Sequence, residues 1–347
     1  MAVNTDFSHK YTDTLFALTA CGGVSGNEGD VRKIIEEAVR PLCDDVKIDT
    51  LGNLYAHKKG SGKSSVRAMA CAHMDEVGLM VSWVRDDGLI DFQTVGGIDP
   101  RVLASKRVFI GKNRVPGVIG TKAIHLQSED EYHSVMGVDK LHIDIGAETA
   151  DEAKKLVKIG DYVVFDTVPE LFGDGCVCAK ALDDRVGCLA LISALEEKYD
   201  CDFTAVFSVQ EEIGDRGAMV TAAHVHPDVC IVLEGTSAND LGEVDEHLRV
   251  CELGKGVAVS FMDRSSLRDA DTFKQLLSIA EEKGIPHQIK TFVAGGNDAG
   301  AIQRREGAVK ICVLSVPCRN IHSPVSVCKI SDIEAQSNLL KAFIGQL

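Results

Sequence analysis

A histidine and an aspartate separated by one residue, His73 and Asp75, follow an apolar run at residues 68–72. In an extended segment alternate side chains point to the same side, so the two could face one site. A metal-binding imidazole needs its second ring nitrogen held by a carboxylate or a carbonyl, and Asp75 could supply it. A lone histidine at a strand end is more often a satisfied polar group, so the pair gains weight only from similar groups elsewhere.

Further metal-binding side chains follow predicted strands or open a predicted helix, and they are Asp183, Asp184, Glu211, Glu212, Glu234 and His322. Each alone could be a helix cap, a solvated turn or a loop residue. Their repetition at the carboxyl edge of one predicted sheet, where the sites of open α/β sheets lie, favours a metal site.

The types of side chain restrict the chemistry of such a site. Two histidines with several carboxylates and no thiolate pair suit zinc, cobalt or manganese, and several carboxylates also fit two ions. Adjacent Glu211 and Glu212 diverge, so one could bind metal while the other takes a proton from water. The spacing of Cys176 and Cys178 is too tight for a zinc finger, and we interpret this pair as structural.

The elements that must position these residues follow an α/β pattern. Alternating helices and strands predict a largely parallel sheet covered by helices. The predicted helices lie at residues 11–20, 31–39, 185–197, 217–223, 266–283 and from 332, and the predicted strands at 66–72, 203–209, 228–233, 256–261, 287–292 and 309–316, with a hairpin at 46–57.

Residues 76–178 have a different sequence pattern, with short β-like runs separated by glycines and little helical periodicity. We interpret them as an inserted β-rich domain that serves oligomerisation and substrate access. Residues 1–75 and 179–347 then form one catalytic α/β domain in two sequence pieces.

The composition describes a globular protein of 347 residues with a formal charge of 37 − 52 = −15. An acidic balance of this size argues against nucleic acid or an anionic membrane as the main partner. No apolar stretch is long enough to span a bilayer, and residues 1–10 lack the pattern of a secretory signal. Most of the 12 cysteines lie in apolar stretches, which predicts small buried side chains in a reducing cytoplasm.

Four motifs carry a resemblance to a known family, and they are Ala72-His73-Met74-Asp75-Glu76-Val77-Gly78, Ala181-Leu182-Asp183-Asp184-Arg185-Val186-Gly187, Gln210-Glu211-Glu212-Ile213-Gly214 and Arg319-Asn320-Ile321-His322-Ser323-Pro324. The chain resembles, nearly end to end, the co-catalytic metallo-aminopeptidases of the tetrahedral, glutamyl and deblocking group, which includes cellulase-like relatives. The resemblance implies two divalent ions per subunit, with zinc preferred and cobalt or manganese as alternatives. It also implies the inserted β domain and assembly into dimers and a tetrahedral dodecamer.

The same resemblance implies a role for each motif residue. One ion would be bound by His73, Asp183 and Glu234, and the other by Asp183, Glu212 and His322, so that Asp183 bridges them. Glu211 would be the general base, and Asp75 would orient His73.

The chain departs from the family pattern at several places, including the stretch at residues 235–242, and two single residues bear on the site. Glu234 stands where the family commonly has a shorter aspartate, and Asn297 stands where a threonine is usual in a loop on the substrate side. In this loop region we expect Gly296 and Asp298 to contact substrate, together with Arg319, which could attract acidic side chains.

The predicted function is therefore hydrolysis of the N-terminal residue of short peptides. A related metal-dependent deacylase or carboxypeptidase would use the same ions with a different pocket. A non-catalytic scaffold stabilised by metal is a further alternative, although a purely structural site has no use for the extra carboxylate of Glu211. Glycoside hydrolysis needs two carboxylates without metal and fits these residues poorly.

Overall fold

A computed structural model describes residues 5–242, 244–305 and 308–347. Within these ranges no helix combines the length and the apolar character needed to cross a membrane.

The helices of the described residues are α1 (Thr5–Ala20), α2 (Gly29–Val39), α3 (Glu129–Tyr132), α4 (Ala150–Leu156), α5 (Leu182–Ala194), α6 (Ala218–Val225), α7 (Ala270–Lys283), α8 (Asp298–Gln303) and α9 (Ile330–Ile344). The strands are β1 (Asp45–Ile48), β2 (Leu54–Lys58), β3 (Arg67–His73), β4 (Gly78–Val84), β5 (Ile90–Val95), β6 (Arg107–Ile110), β7 (Val115–Gly120), β8 (His142–Asp144), β9 (Tyr162–Phe165), β10 (Glu170–Phe172), β11 (Cys176–Ala179), β12 (Asp202–Ser208), β13 (Val229–Ser237), β14 (Val257–Ser260), β15 (His287–Lys290), β16 (Lys310–Cys318) and β17 (Ser326–Lys329).

The main sheet of the described chain has eight strands in the order β1-β2-β12-β3-β13-β16-β14-β15. Its four central strands, β12, β3, β13 and β16, are parallel, whereas β14 and β15 run in the opposite direction. Central parallel strands are buried on both faces, which explains their nearly continuous apolar sequence. The predicted α/β fold with a largely parallel sheet is confirmed.

Alternate residues of β3 show how the sheet is covered. Ala68, Ala70 and Ala72 belong to the apolar cluster that includes residues of α2, α5, α7 and α9. Met69 and Cys71 belong to the opposite cluster, with residues of α6 and α8. Small side chains on the first face let the buried helix α5 pack closely against the sheet.

The strands β4 to β9 form a closed barrel in the order β4-β5-β8-β7-β6-β9. The barrel has its own apolar cluster, which includes Leu79, Ile90, Phe92, Ile143 and Val163. Closure removes the open strand edges that a small sheet would otherwise expose. The strands β10 and β11 follow the barrel and pair with each other, and β11 also pairs with β17, far along the chain, in a separate three-stranded sheet.

Three local features differ from the sequence predictions. The helix expected from residue 266 begins at Ala270, because the Asp269 side chain accepts a hydrogen bond from the Thr272 N–H and caps it. The short helix α8 and the strand β17 were not predicted. Both are too short for a periodic pattern to distinguish them from a loop.

Candidate metal centre

The four central strands bring the predicted site residues to one edge of the main sheet. His73 ends β3 opposite Ser208, the last residue of β12, and Glu234 lies in β13 opposite Ser315 of β16. Asp183 opens α5, and Glu211 and Glu212 follow β12 directly. The carboxyl edge of parallel strands is where sites of open α/β sheets form.

One group of donor atoms centres on His73. Its Nε2 atom lies 3.5 Å from Asp183 Oδ1 and 3.6 Å from Glu234 Oε2. Ligands bound tetrahedrally to zinc at ~2.1 Å lie about 3.4 Å from each other. Both distances from His73 match the spacing of two ligands of one ion, and a Glu212 oxygen lies within 4.8 Å of donor atoms of His73 and Asp183.

A second group centres on His322. Its Nε2 atom lies 3.5 Å from Asp183 Oδ2 and 3.5 Å from Glu212 Oε2. Asp183 thus turns one oxygen to each histidine, which is the arrangement of a carboxylate that bridges two ions.

The electrostatics of the site are those of an acidic cluster that favours bound cations. Burial raises the pKa of Glu211 and of Glu234 well above the usual range. Burial disfavours the charged forms of His73 and His322, but Asp183 and its neighbours outweigh it, so the pKa of His73 lies well above its usual range and that of His322 rises to about 9. Divalent cations would supply the charge that these protons otherwise supply.

One atom of the site points to a ligand more directly. Glu234 Oε1 is buried and has no hydrogen-bond partner among the described residues. A buried carboxylate oxygen without a donor is costly, and a cation would satisfy it. The residues present therefore fit a metal centre, including the glutamate at position 234.

Asp184 offers a competing donor. One oxygen each from Asp184 and Glu234 and a nitrogen of His73 lie within 4.8 Å of one another. The Asp184 carboxylate already accepts hydrogen bonds from the backbone N–H of His73 at 3.2 Å and of Gly187 at 3.0 Å. Both Asp184 oxygens thus have backbone donors, whereas Asp183 has one such donor only within the described residues, the Gly235 N–H at 3.2 Å from Oδ1, so we favour Asp183 as the ligand.

Asp75 joins two segments of the site. The His73 Nδ1 atom lies 3.1 Å from the main-chain carbonyl of Asp75 and 3.5 Å from its carboxylate. The carboxylate accepts the N–H groups of Glu211 and Glu212 at 3.0 and 3.2 Å and the Ser25 hydroxyl at 2.6 Å. Asp75 therefore fixes the His73 ring and also the turn that carries both glutamates.

The barrel contributes to the second donor group. His322 Nδ1 lies 3.0 Å from the Gly97 carbonyl, in the loop after β5, so a barrel residue orients this imidazole. His322 has φ of 56° and Gln210, before Glu211, has φ of 58°. Left-handed backbone in non-glycine residues costs energy and is often found at functional sites.

A cavity of about 710 Å³ opens in front of the two donor groups and is lined by Glu211, Glu212, Glu234, Asp183, Gly296 and Ser237, among others. The Glu211 Oε2 atom lies 3.9 Å from His73 Nε2, so this carboxylate reaches the donor atoms from the cavity side. It is placed to hold a proton of a water molecule bound between them.

Of the three residues expected to contact substrate, Gly296 lines this cavity and the other two do not. Arg319 forms a bidentate ion pair with Asp240, at 2.7 and 2.8 Å, which holds its guanidinium elsewhere. Asp298 is fully buried beneath the site and accepts the Ser208 hydroxyl. Asn297 caps α8 through a hydrogen bond from the Ala299 N–H at 3.0 Å.

Sequence reasoning missed three charged residues of the cavity wall, Asp99, Asp215 and Lys290. Asp215 follows the Glu211-Glu212 turn, so its proximity could have been inferred. Lys290 could not, because it lies on an edge strand that runs against the central four.

A model of the family described as M42 glutamyl aminopeptidase matches residues 52–339. The chain belongs to the M42 aminopeptidase family. Lysyl aminopeptidase of Pyrococcus furiosus is 32% identical over 94% of this M42 chain and 94% of its own length. A protein of Acetivibrio thermocellus, described as a proposed aminopeptidase, is 39% identical over 94% of this chain and 96% of its own.

Solved structures agree with this assignment. An aminopeptidase of the archaeon Desulfurococcus kamchatkensis superposes with a TM-score of 0.94 at 34% identity, covering 98% of this M42 chain and 96% of its own. The TET1 peptidase of Pyrococcus horikoshii, described as assembling into a tetrahedron or an octahedral shell, superposes at 0.86 with 34% identity, covering 97% and 100%. The protein is thus a metal-dependent aminopeptidase that hydrolyses peptide bonds.

Proposed function

We propose that this M42 aminopeptidase removes the N-terminal residue of short peptides with two divalent ions. His73, Asp183 and Glu234 hold one ion, and Asp183, Glu212 and His322 hold the other. The observation that carries the proposal is the position of Asp183, whose two oxygens lie 3.5 Å from two different histidines. Zinc is the proposed metal, and cobalt or manganese would fit the same donors.

When bound, the two ions acidify a water molecule and polarise the scissile carbonyl. Glu211 takes the proton of the attacking water and passes it to the departing amine, because its carboxylate faces the cavity beside the donor atoms. Asp75 holds Glu211 through its backbone N–H and so fixes the distance over which the proton moves.

A panel of substrates tests the reaction. Protein stripped of metal by a chelator should keep its circular dichroism spectrum but lose turnover, and zinc, cobalt or manganese should restore it. Aminoacyl amides with a free amine should be cleaved, and their N-acylated counterparts should not. Cleavage of the acylated set would indicate a deacylase instead. Unfolding on chelation, without any turnover before it, would indicate a metal-stabilised scaffold.

We further propose that Lys290 gives the enzyme a preference for an acidic N-terminal residue. Lys290 is the one lysine or arginine that lines the cavity within the described residues, and it has no ion-pair partner there. Of the acidic residues nearby, Asp99 is paired with Arg101 at 2.9 Å, and Asp215 lies against Glu211. The Lys290 ammonium is thus available to a substrate carboxylate.

The contacts around Lys290 locate it relative to the metal donors of β13. It lies close enough to Cys251 for an electrostatic interaction, and the Cys251 thiol donates to the Ser237 carbonyl. Ser237 is three residues beyond Glu234 in β13, or about 10 Å along the strand. We therefore place the Lys290 ammonium on the Ser237 side of the cavity, where the carboxylate of a glutamyl substrate would meet it.

Replacing Lys290 by glutamine should lower kcat/KM for a glutamyl amide roughly tenfold and leave that for a leucyl amide within about twofold. The K290E variant should gain activity on lysyl amides, and high salt should weaken the wild-type preference because Lys290 is only half-buried. The matched control is Lys310→Gln, which changes an exposed lysine at the start of β16, at the end of the strand away from the metal centre. Equal losses on glutamyl and leucyl amides in K290Q would contradict the assignment.

We also propose that the enzyme acts in the cytoplasm as a homo-oligomer built from dimers, up to a dodecamer. The TET1 neighbour with its tetrahedral assembly and the many cysteines, all free in the described structure, support this proposal. Light scattering should give a mass that is an even multiple of 37.3 kDa. A monomer at micromolar concentration would exclude it.

A further inference from the structure

Three charged side chains lie buried behind the metal centre, and we call Glu76, Lys180 and Arg185 the ion cluster. Their exposed fractions are 3%, 2% and 0%. Lys180 Nζ lies 2.7 Å from both oxygens of Glu76, and Arg185 Nη2 lies 3.3 Å from Glu76 Oε1. Glu76 follows His73 by three residues, and Lys180 and Arg185 flank Asp183. The cluster thus joins the two chain segments that carry the first metal's donors.

Arg185 also binds the backbone of the histidine segment. Its Nε atom donates to the Met74 carbonyl at 2.9 Å, and its Nη1 atom donates to the Leu18 carbonyl at the end of α1. Met74 stands between His73 and Asp75, so this hydrogen bond fixes the peptide that links the ligand to the residue holding its ring. The hydrogen bond to the Met74 carbonyl thereby links the start of α5 to the end of β3.

Close packing leaves this arrangement little freedom. The Gly23 N–H donates to Glu76 Oε1 at 2.8 Å, and a Cβ added at Gly23 would lie 2.6 Å from Arg185 Nη2. Lys180 Nζ additionally donates to the Cys21 carbonyl at 2.8 Å. Residues 21–23 therefore form the back wall of the cluster, and a larger residue at position 23 would displace the guanidinium or Val31.

A buried ion cluster is costly to build, and apolar residues of similar size often give equal or greater stability. Stability alone therefore does not account for two buried cations around one carboxylate at this place. We propose that Arg185 is a positioning residue that, through the Met74 carbonyl, holds His73 and Asp183 in the spacing of metal ligands before metal binds. Lys180 and Glu76 hold the guanidinium in place. The proposal rests on the proposed two-metal site.

Two variants separate positioning from charge. Arg185→Met leaves the Glu76–Lys180 pair, and Lys180→Met leaves the Glu76–Arg185 pair, so each removes one positive charge and leaves one balanced pair. Only Arg185→Met frees the Met74 carbonyl. In a Co²⁺ titration of metal-free protein, followed by the visible absorption of the bound ion, R185M should bind cobalt roughly 10–100-fold more weakly than wild type with an altered spectrum. K180M should stay within about threefold.

Equal weakening in both variants would overturn the positioning role, since charge alone would then explain the effect, and so would unchanged affinity in R185M. If R185M does not fold, Arg185→Lys retains the charge without the Nε hydrogen bond and should show a weaker affinity than K180M. Arg268→Met, which removes an arginine packed on Phe273, controls for loss of any guanidinium. Wild-type protein that binds no cobalt would refute the proposed function itself. Equal cobalt affinity in wild type and R185M would refute only this inference.

Discussion

Replacing Glu211 by glutamine is expected to lower kcat by roughly 10²–10⁴-fold while two metal ions remain bound. Glutamine has the shape of glutamate but cannot take a proton from water. The backbone N–H of Glu211, which donates to Asp75 at 3.0 Å, is unchanged by the substitution, so the turn should keep its geometry. Metal content by mass spectrometry and steady-state kinetics on a leucyl amide measure the two effects separately.

Glu212→Gln is the matched control, because it makes the same chemical change one residue away. Glu212 Oε2 lies 3.5 Å from His322 Nε2, and we assign it to the second ion. E212Q should therefore lose one ion per subunit, whereas E211Q should lose none. Near-normal turnover in E211Q would refute its role as general base, and loss of an ion from E211Q would make Glu211 a ligand instead.

The clustering of the candidate metal ligands could be predicted from the sequence because it depends on a general property of parallel sheets. Once residues 66–72, 203–209 and 309–316 are recognised as parallel strands, the polar residues that follow them must meet at one edge. His73, Glu211 and His322 come together for this reason. No knowledge of side-chain packing is needed for that step.

Whether Arg319 and Lys290 face the cavity could not be predicted in the same way, because their positions depend on contacts between distant parts of the chain. Asp240, 79 residues before Arg319, binds its guanidinium and removes it from the substrate side. Lys290 enters the cavity from an edge strand whose direction the sequence does not specify. A charged residue near a motif is therefore weak evidence for a substrate contact, whereas a metal-binding residue at the end of a parallel strand is strong evidence for a metal site.

The distinction between Asp183 and Asp184 also exceeds what the sequence can show, because local backbone geometry decides it. Both residues were candidates for the helix N-terminus, yet neither is helical: Asp183 has φ −84° and ψ 107°, and Asp184 has φ −123° and ψ 44°. This geometry directs Asp183 toward both imidazoles, and the Asp184 carboxylate toward the backbone N–H groups of His73 and Gly187.

Asp183→Asn is expected to weaken the binding of both metal ions by more than about a hundredfold, since one neutral amide cannot bridge two cations. Asp184→Asn is the matched control. It should keep two ions per subunit but lose about 1–3 kcal/mol of unfolding free energy, because an amide group would face one of the two buried N–H donors. Metal content after dialysis and urea unfolding measure these outcomes.

The pair of variants also decides between the two possible donor sets around His73. If Asp184 were the ligand, as its placement within 4.8 Å of His73 and Glu234 donors would allow, D184N would lose an ion and D183N would retain at least one. Loss of both ions from D183N alone requires a carboxylate shared between the His73 and His322 groups. Within the described residues only Asp183 has carboxylate oxygens within 4 Å of both histidines, so this result would support the bridge on which the two-ion mechanism depends.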